Sequence, residues 1–286
     1  MPETAQTIAL KDGRTLGFAE FGEPRGKPVL YFHGHPGARI EWPALGDDGA
    51  ATELGLRIIA VDRPGHGLSS FQPGRRIADW SSDVIELVEQ LEIEQFGVLG
   101  LSGGGPYALA CAHRIPDRLA ATAVVSGMGP PEAPGAAEGM SWTYPGKGPL
   151  LRKVLMKLSE MGLRKQPERF MAQTAAAFHG PDKALLDGDS QVQPGIAAAF
   201  SEAFRDGVRG PHYEASLYSR AWGFDLGAIQ AEIHLWHGEQ DENVLPSVAR
   251  YVAEALPICR ATFLENEGHI TIARRRARDY LSIFLV

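Results

Sequence analysis

The stretch "VLGLSGGGPYALACA", Val98–Ala112, runs from an apolar segment into a helical pattern and sets one serine, Ser102, among Gly100, Gly103, Gly104 and Gly105. Glycine costs about 0.5–1 kcal/mol relative to alanine inside regular structure, so such crowding needs a reason. Val98–Leu101 reads as a strand buried on both faces, and Gly105–Ile115 as the helix that follows. The segment "GLSGG" (Gly100–Gly104) matches G-x-S-x-G in the context that motif requires, a strand before it and a helix after it. A sharp turn there lifts the serine hydroxyl out of the sheet, and bulky neighbours would clash across it. The start of the helix adds unpaired N–H groups and a partial positive charge beside the hydroxyl.

Working outward, the same kind of run recurs. "PVLYFHGHPG" (Pro28–Gly37), "LRIIAVDRPGHG" (Leu56–Gly67), "LAATAVVSG" (Leu119–Gly127), "EIHLWHGEQD" (Glu232–Asp241) and "CRATFLENEGH" (Cys259–His269) are continuous apolar segments that stop at turn residues. Runs apolar on both faces suit a buried parallel sheet. Two shorter strand patterns, "TIAL" and "RTLGFAEFG", open the chain around a turn at Asp12-Gly13. Helical spacing lies between the runs, at 77–93, 105–115, 244–256 and 270–285. The alternation predicts an α/β fold with a mostly parallel central sheet flanked by helices. From Met128 to Trp222 the alternation stops. Helical patterns at Pro149–Leu163, Pro167–Phe178 and Gly195–Asp206 follow a Gly/Pro-rich opening. That block reads as an inserted α-helical cap, which divides the core into residues 1–127 and 223–286.

Composition narrows the function classes. The chain has 286 residues, 44% of them hydrophobic, with 28 basic and 35 acidic side chains and a net charge of −7. A nucleic-acid binder would need a basic face. The one basic cluster, "ARRRAR" (Ala273–Arg278), reads as a solvated helix face. Two cysteines, Cys111 and Cys259, make no disulfide framework and fit a reducing, cytoplasmic setting. The amino terminus has no signal-peptide pattern, and no run approaches the roughly 18 apolar residues of a membrane span.

A serine hydroxyl is a weak nucleophile that needs a base, normally an imidazole oriented by a carboxylate. His269 stands just past the last strand and just before the last helix. His113, on the helix after Ser102, and His66, in the turn "RPGHG", are worse placed. "LWHGEQDENV" offers Glu239, Asp241 and Glu242. Asp241 fits best, because it follows the strand in a G-x-x-D loop and its short side chain holds an imidazole firmly. The H-x-H pair in "HGHPG" could suggest a metal, but no acidic ligands follow and Pro36-Gly37 enforces a turn, so neither a metal nor any other cofactor is expected.

Together, "HGHPG", "DRPGHGLSS", "GLSGG", "HGEQD" and "EGH" come in the order of the α/β-hydrolase fold superfamily, which the chain resembles over nearly its whole length outside the cap. The resemblance implies a sheet of about eight strands, a nucleophile elbow at Ser102 and a triad of Ser102, Asp241 and His269. It also implies oxyanion donors at the backbone N–H groups of His35 and Gly103, and a lid insertion where the cap stands. Relatives that cut carbon–halogen bonds or epoxides carry aspartate at the nucleophile position, so a serine there points to acyl chemistry. The expected activity is hydrolysis of a small to medium, largely apolar acyl substrate, an ester or a related acyl or C–C bond, with Trp142, Phe170 and Phe178 as candidate pocket residues. "HGHPG" is also similar to the "HGGPG" of proline iminopeptidases, so an aminopeptidase using Glu160, Glu168 or Glu202 to hold a substrate amine is an alternative. A ligand receptor on the same fold is another. The expected partner is a small molecule, without nucleic acid or membrane span, and the oligomeric state is left open.

Overall fold

A computed structural model describes residues 4–139 and 148–285. Its frame is an eight-stranded sheet: β1 (Gln6–Ala9), β2 (Thr15–Gly22), β3 (Lys27–Phe32), β4 (Leu56–Val61), β5 (Phe96–Leu101), β6 (Leu119–Val125), β7 (Ile233–Gly238) and β8 (Cys259–Leu264). The strand order is β1-β2-β4-β3-β5-β6-β7-β8. β1 pairs antiparallel with β2, and β2 with β4; every later pairing is parallel. The apolar runs are continuous because both faces are covered. On one face Leu30, Phe32, Val98 and Val124 pack with Trp80, Val84 and Leu87 of α3 (Trp80–Gln90), Tyr107 and Cys111 of α4 (Gly105–Arg114) and Val248 of α10 (Pro246–Ala255). On the other, Val29, Tyr31, Leu99 and Val125 pack with Ala50 of α2 (Asp48–Glu53), Ile272 of α11 (His269–Arg275) and Tyr280 of α12 (Ala277–Leu281). A fully buried Val, Leu, Ile or Phe contributes about 1.5–3 kcal/mol, so a strand apolar on both faces is stable only between two helical layers.

The short α1 (Trp42–Leu45) follows the loop after β3. Between β6 and β7 lie α5 (Pro149–Lys165), α6 (Pro167–Ala175), α7 (Gly180–Gly188), α8 (Val192–Ala203) and α9 (Arg209–Tyr218). They share a third apolar cluster, with Met156, Leu163, Met171, Leu186, Val192 and Ile196, which takes in Ala44 and Ile270 from the sheet-bearing part of the chain. α5, α6 and α8 fall within a few residues of the helices expected there. α7 and α9 were not expected. Each carries a Gly-Pro pair in its first turn, Gly180-Pro181 and Gly210-Pro211, which reads as a break although proline in a first turn forfeits no helical hydrogen bond. The single closing helix expected over 270–285 is interrupted at Arg276, where φ −106° and ψ 15° separate α11 from α12.

Candidate active site

The strand ends of the parallel sheet place the site, in the crevice where α/β sheets bind ligands. Ser102 follows β5 directly and has φ +51°, a left-handed conformation that costs a non-glycine residue of order 1–3 kcal/mol. The glycines beside it answer to close approach. A Cβ on Gly104 would lie 2.0 Å from the Phe32 carbonyl oxygen, and one on Gly103 would lie 2.7 Å from both the His35 Cβ and the Tyr218 hydroxyl. Any larger residue would push the elbow away from the β3 loop.

Ser102, His269 and Asp241 come together as a hydrogen-bonded chain. His269 Nε2 is 3.0 Å from Ser102 Oγ, and its Nδ1 is 2.8 Å from Asp241 Oδ2. The other Asp241 oxygen accepts from the backbone N–H groups of Asn243 and Val244, each at 2.9 Å. Asp241 is thus locked in the loop after β7, whereas its neighbours point elsewhere: Glu239 pairs with Arg250, and Glu242 with His179. Burial penalises the Asp241 charge, but the His269 ring beside it holds the carboxyl below its usual range. For His269 burial acts to lower the pKa; Asp241, then Asp182 and Glu41, outweigh it and leave it raised.

Three contacts around this chain were not foreseen. His237, at the end of β7, is a second imidazole against Asp241, with Nε2 3.4 Å from Oδ2 and 2.9 Å from the Val244 carbonyl. Burial lowers its pKa against the opposing pull of Asp241 and so favours the neutral ring. Asp182 of α7 accepts hydrogen bonds from the backbone N–H groups of His269 (2.7 Å), Ile270 (3.0 Å) and Thr271 (2.9 Å), and so caps α11 at the residue that carries the imidazole. Glu41 accepts from Gly34 N–H at 2.7 Å and from the Tyr31 hydroxyl at 2.5 Å, bracing the loop after β3.

The His35 side chain is fully buried against α9, with Nδ1 2.9 Å from Glu214 Oε2. Glu214 also receives Arg63 (2.8 and 2.9 Å), Arg75 (3.2 Å) and the Tyr107 hydroxyl (2.9 Å). Burial raises the Glu214 pKa, yet Arg63 above all, then His66 and His35, holds it well below the ordinary value. Burial drops His66 to about 3, so that ring is neutral. His35, His66 and Glu214 bring three potential ligand atoms within 4.8 Å of one another. The set fits a cation badly, because two guanidinium groups already occupy the carboxylate.

Of the candidate pocket residues, Phe170 and Phe178 pack against the third apolar cluster, while Trp142 lies outside the described residues. Glu160 pairs with Lys157, Glu202 with Arg39 and Arg205, and Glu168 is exposed on α6. The "ARRRAR" cluster contributes two ion pairs, Arg278 to Glu53 at the surface and Arg276 to the buried Glu267. Among the described residues no helix is long and apolar enough to cross a membrane.

Comparison with known proteins places these features in a family context. The alpha/beta hydrolase fold family matches residues 27–272. A non-heme chloroperoxidase of Streptomyces lividans is 27% identical over 272 residues, 92% of this chain and 91% of its own length. A bifunctional esterase/perhydrolase of Acinetobacter calcoaceticus is 26% identical over 83% of this chain and 82% of its own. Among solved structures, the esterase RhEst1 from Rhodococcus sp. ECU1013 superposes with a TM-score of 0.71 at 20% identity, covering 99% of this chain and 98% of that one.

Proposed function

The chain belongs to the alpha/beta hydrolase fold family, and from that premise we propose that it is a serine hydrolase that cleaves small to medium, largely apolar acyl substrates through an acyl-enzyme. Ser102 Oγ attacks the acyl carbonyl while His269 Nε2 takes its proton. Asp241 holds the Nδ1–H tautomer and stabilises the imidazolium as it forms. The oxyanion accepts from the backbone N–H groups of His35 and Gly103, a contribution of several kcal/mol where donors are fixed in advance. His269 then protonates the leaving group, activates water against the acyl-serine and returns the proton to Ser102. No step calls on a cofactor. The helices between β6 and β7 act as a cap that selects the substrate, with Phe170 and Phe178 contributing apolar surface.

The observation that carries this reading is the unbroken Ser102–His269–Asp241 hydrogen-bond chain, which a ligand receptor would not need. Relatives named as esterases support the acyl chemistry. Ser102 stands where an epoxide- or halide-cleaving relative carries aspartate, which keeps the reaction with acyl groups. The aminopeptidase alternative loses ground because Glu160 and Glu202 are engaged by cations and Glu168 faces solvent, so none of the three candidate acids is placed to receive a substrate amine.

A panel of p-nitrophenyl esters of increasing acyl length, amino-acid anilides and β-diketones tests the proposal. Each buried methylene is worth about 0.8 kcal/mol, so kcat/KM should rise over the first few acyl carbons and fall as the pocket fills. Ester turnover should be lost in Ser102→Ala. Anilides hydrolysed far faster than any ester would reverse the assignment.

A further inference from the structure

We propose that α9 positions both oxyanion donors, Glu214 by holding His35 and Tyr218 by holding Gly103; the inference rests on the serine-hydrolase reading above. The two side chains stand four residues apart, so they project from one face of the helix. Glu214 Oε2 accepts from His35 Nδ1 at 2.9 Å, and the Tyr218 hydroxyl donates to the Gly103 carbonyl at 2.9 Å. The Tyr218 ring meets the His35 imidazole edge-on, with 5.4 Å between centroids. One helical face therefore touches the loop after β3 and the turn after β5, the two segments whose N–H groups face the oxyanion in this reading.

The grip on the first loop extends over three successive residues. Arg63, fixed on Glu214 through two nitrogens, also donates to the carbonyls of His33 and Gly34. The Glu214–Arg63 pair thus ties down residues 33, 34 and 35 together. At the second donor a Cβ on Gly103 would meet the Tyr218 hydroxyl at 2.7 Å, so the tyrosine can close on residue 103 only because it is a glycine.

Every member of this arrangement is buried, including Glu214, Arg63, His35, Tyr107 and Tyr218. A buried ion pair is weak evidence of stabilisation, since desolvation offsets its attraction. It does fix geometry, because a carboxylate with five polar neighbours cannot turn. Oxyanion donors act through preorganisation, and a loss of alignment of about 0.5 Å is enough to matter. Glu214 and Tyr218 are on this account positioning residues, since neither touches the reacting atoms.

The test uses Tyr218→Phe and Glu214→Gln in the full-length enzyme, with active sites counted by fluorophosphonate titration. Removing one oxyanion donor outright costs about 10²–10³ in kcat. Loosening one by Tyr218→Phe should cost about tenfold, and Glu214→Gln about a hundredfold, in kcat per titrated site with KM held within about twofold. The inhibition constant of a boronic acid, which mimics the tetrahedral intermediate, should rise in parallel with the loss in kcat. A purely structural role predicts fewer titratable sites, with kcat per site and boronate affinity at the wild-type level, and that result would overturn the inference. Tyr218→Phe keeps the ring and all buried charges, so it remains a test if Glu214→Gln fails to fold. Wild-type protein that does not label at Ser102 would overturn the serine-hydrolase reading and this one with it. Normal labelling with unchanged kcat in both variants would overturn this one alone.

Discussion

Asp241 and Asp182 are both buried aspartates bonded to His269, and they reach it from different parts of the molecule. Asp241 comes from the loop after β7 and binds the imidazole; Asp182 comes from α7, between β6 and β7, and binds the backbone. The same contrast holds at the other end of the site. Ser102 and Gly103 belong to the turn after β5, whereas Glu214 and Tyr218, which pack against that turn and the β3 loop, belong to α9. Glu202 of α8 adds a third link, to Arg39, which in turn holds Asp62 after β4. The strand-end loops carry the groups proposed to react, and the helices between β6 and β7 carry carboxylates, Asp182 and Glu214 buried and Glu202 partly so, that hold those loops. In the proposed reading, selecting a substrate is one of two tasks for the helices between β6 and β7, and bracing the strand-end loops is the other.

That division can be broken by substitution. The largest effect after loss of the nucleophile belongs to the strand-end side. Asp241→Asn should lower kcat by about 10⁴, the cost of presenting the wrong imidazole tautomer in a comparable serine enzyme. Glu239→Gln and Glu242→Gln, measured beside it, should stay within about threefold of wild type, since an exposed ion pair is worth only about 0–1 kcal/mol. A severe Glu239 variant with a mild Asp241 variant would place the carboxylate wrongly.

A smaller effect is expected from the inserted side, and it has its own signature in pH. The proposed base, His269, can take a proton only when neutral, and its pKa is raised in the folded protein. The acid limb of kcat/KM should therefore lie above the ordinary imidazole value of about 6.5. The charged and titratable groups around the ring are Asp241 and His237 from the β7 segment, Asp182 from α7 and Glu41 from the loop after β3. Asp182→Ala removes one of the three carboxylates that raise the pKa, so the limb should move to lower pH. It also uncaps α11, a loss of about 1 kcal/mol of stability in typical helices, and kcat should fall by about fivefold at most if all of that loss is felt at the imidazole. A pH profile superposable on wild type would confine Asp182 to folding.

The contrast between the two regions also marks how far the sequence could be read. Eight strands and the Ser102–His269–Asp241 set were legible because each is local. An apolar run between turn residues is a strand wherever both faces are covered, and each of the three polar residues stands within five residues of a strand end. Glu214 carries no such mark. In "PHYEASLY" it is indistinguishable from a solvated helix acid, and its partners Arg63 and His35 are 151 and 179 residues away. Arg63 and His66 sit in "DRPGHG", which reads as an ordinary polar turn until packing buries it. Between β6 and β7 the helices that were missed, α7 and α9, are the two that carry Asp182 and Glu214. Proline in a first turn is the local signal that could have found them.

The central claim is that Ser102 is the nucleophile of a serine hydrolase, and covalent labelling tests it most directly. Wild-type protein is treated with a fluorophosphonate and digested, and the modified peptide is located by mass spectrometry. The account predicts a single adduct on Ser102 that appears with first-order kinetics, blocks ester turnover in proportion, and is absent from Ser102→Ala. An adduct on another residue, or ester turnover that survives full modification of Ser102, would contradict it.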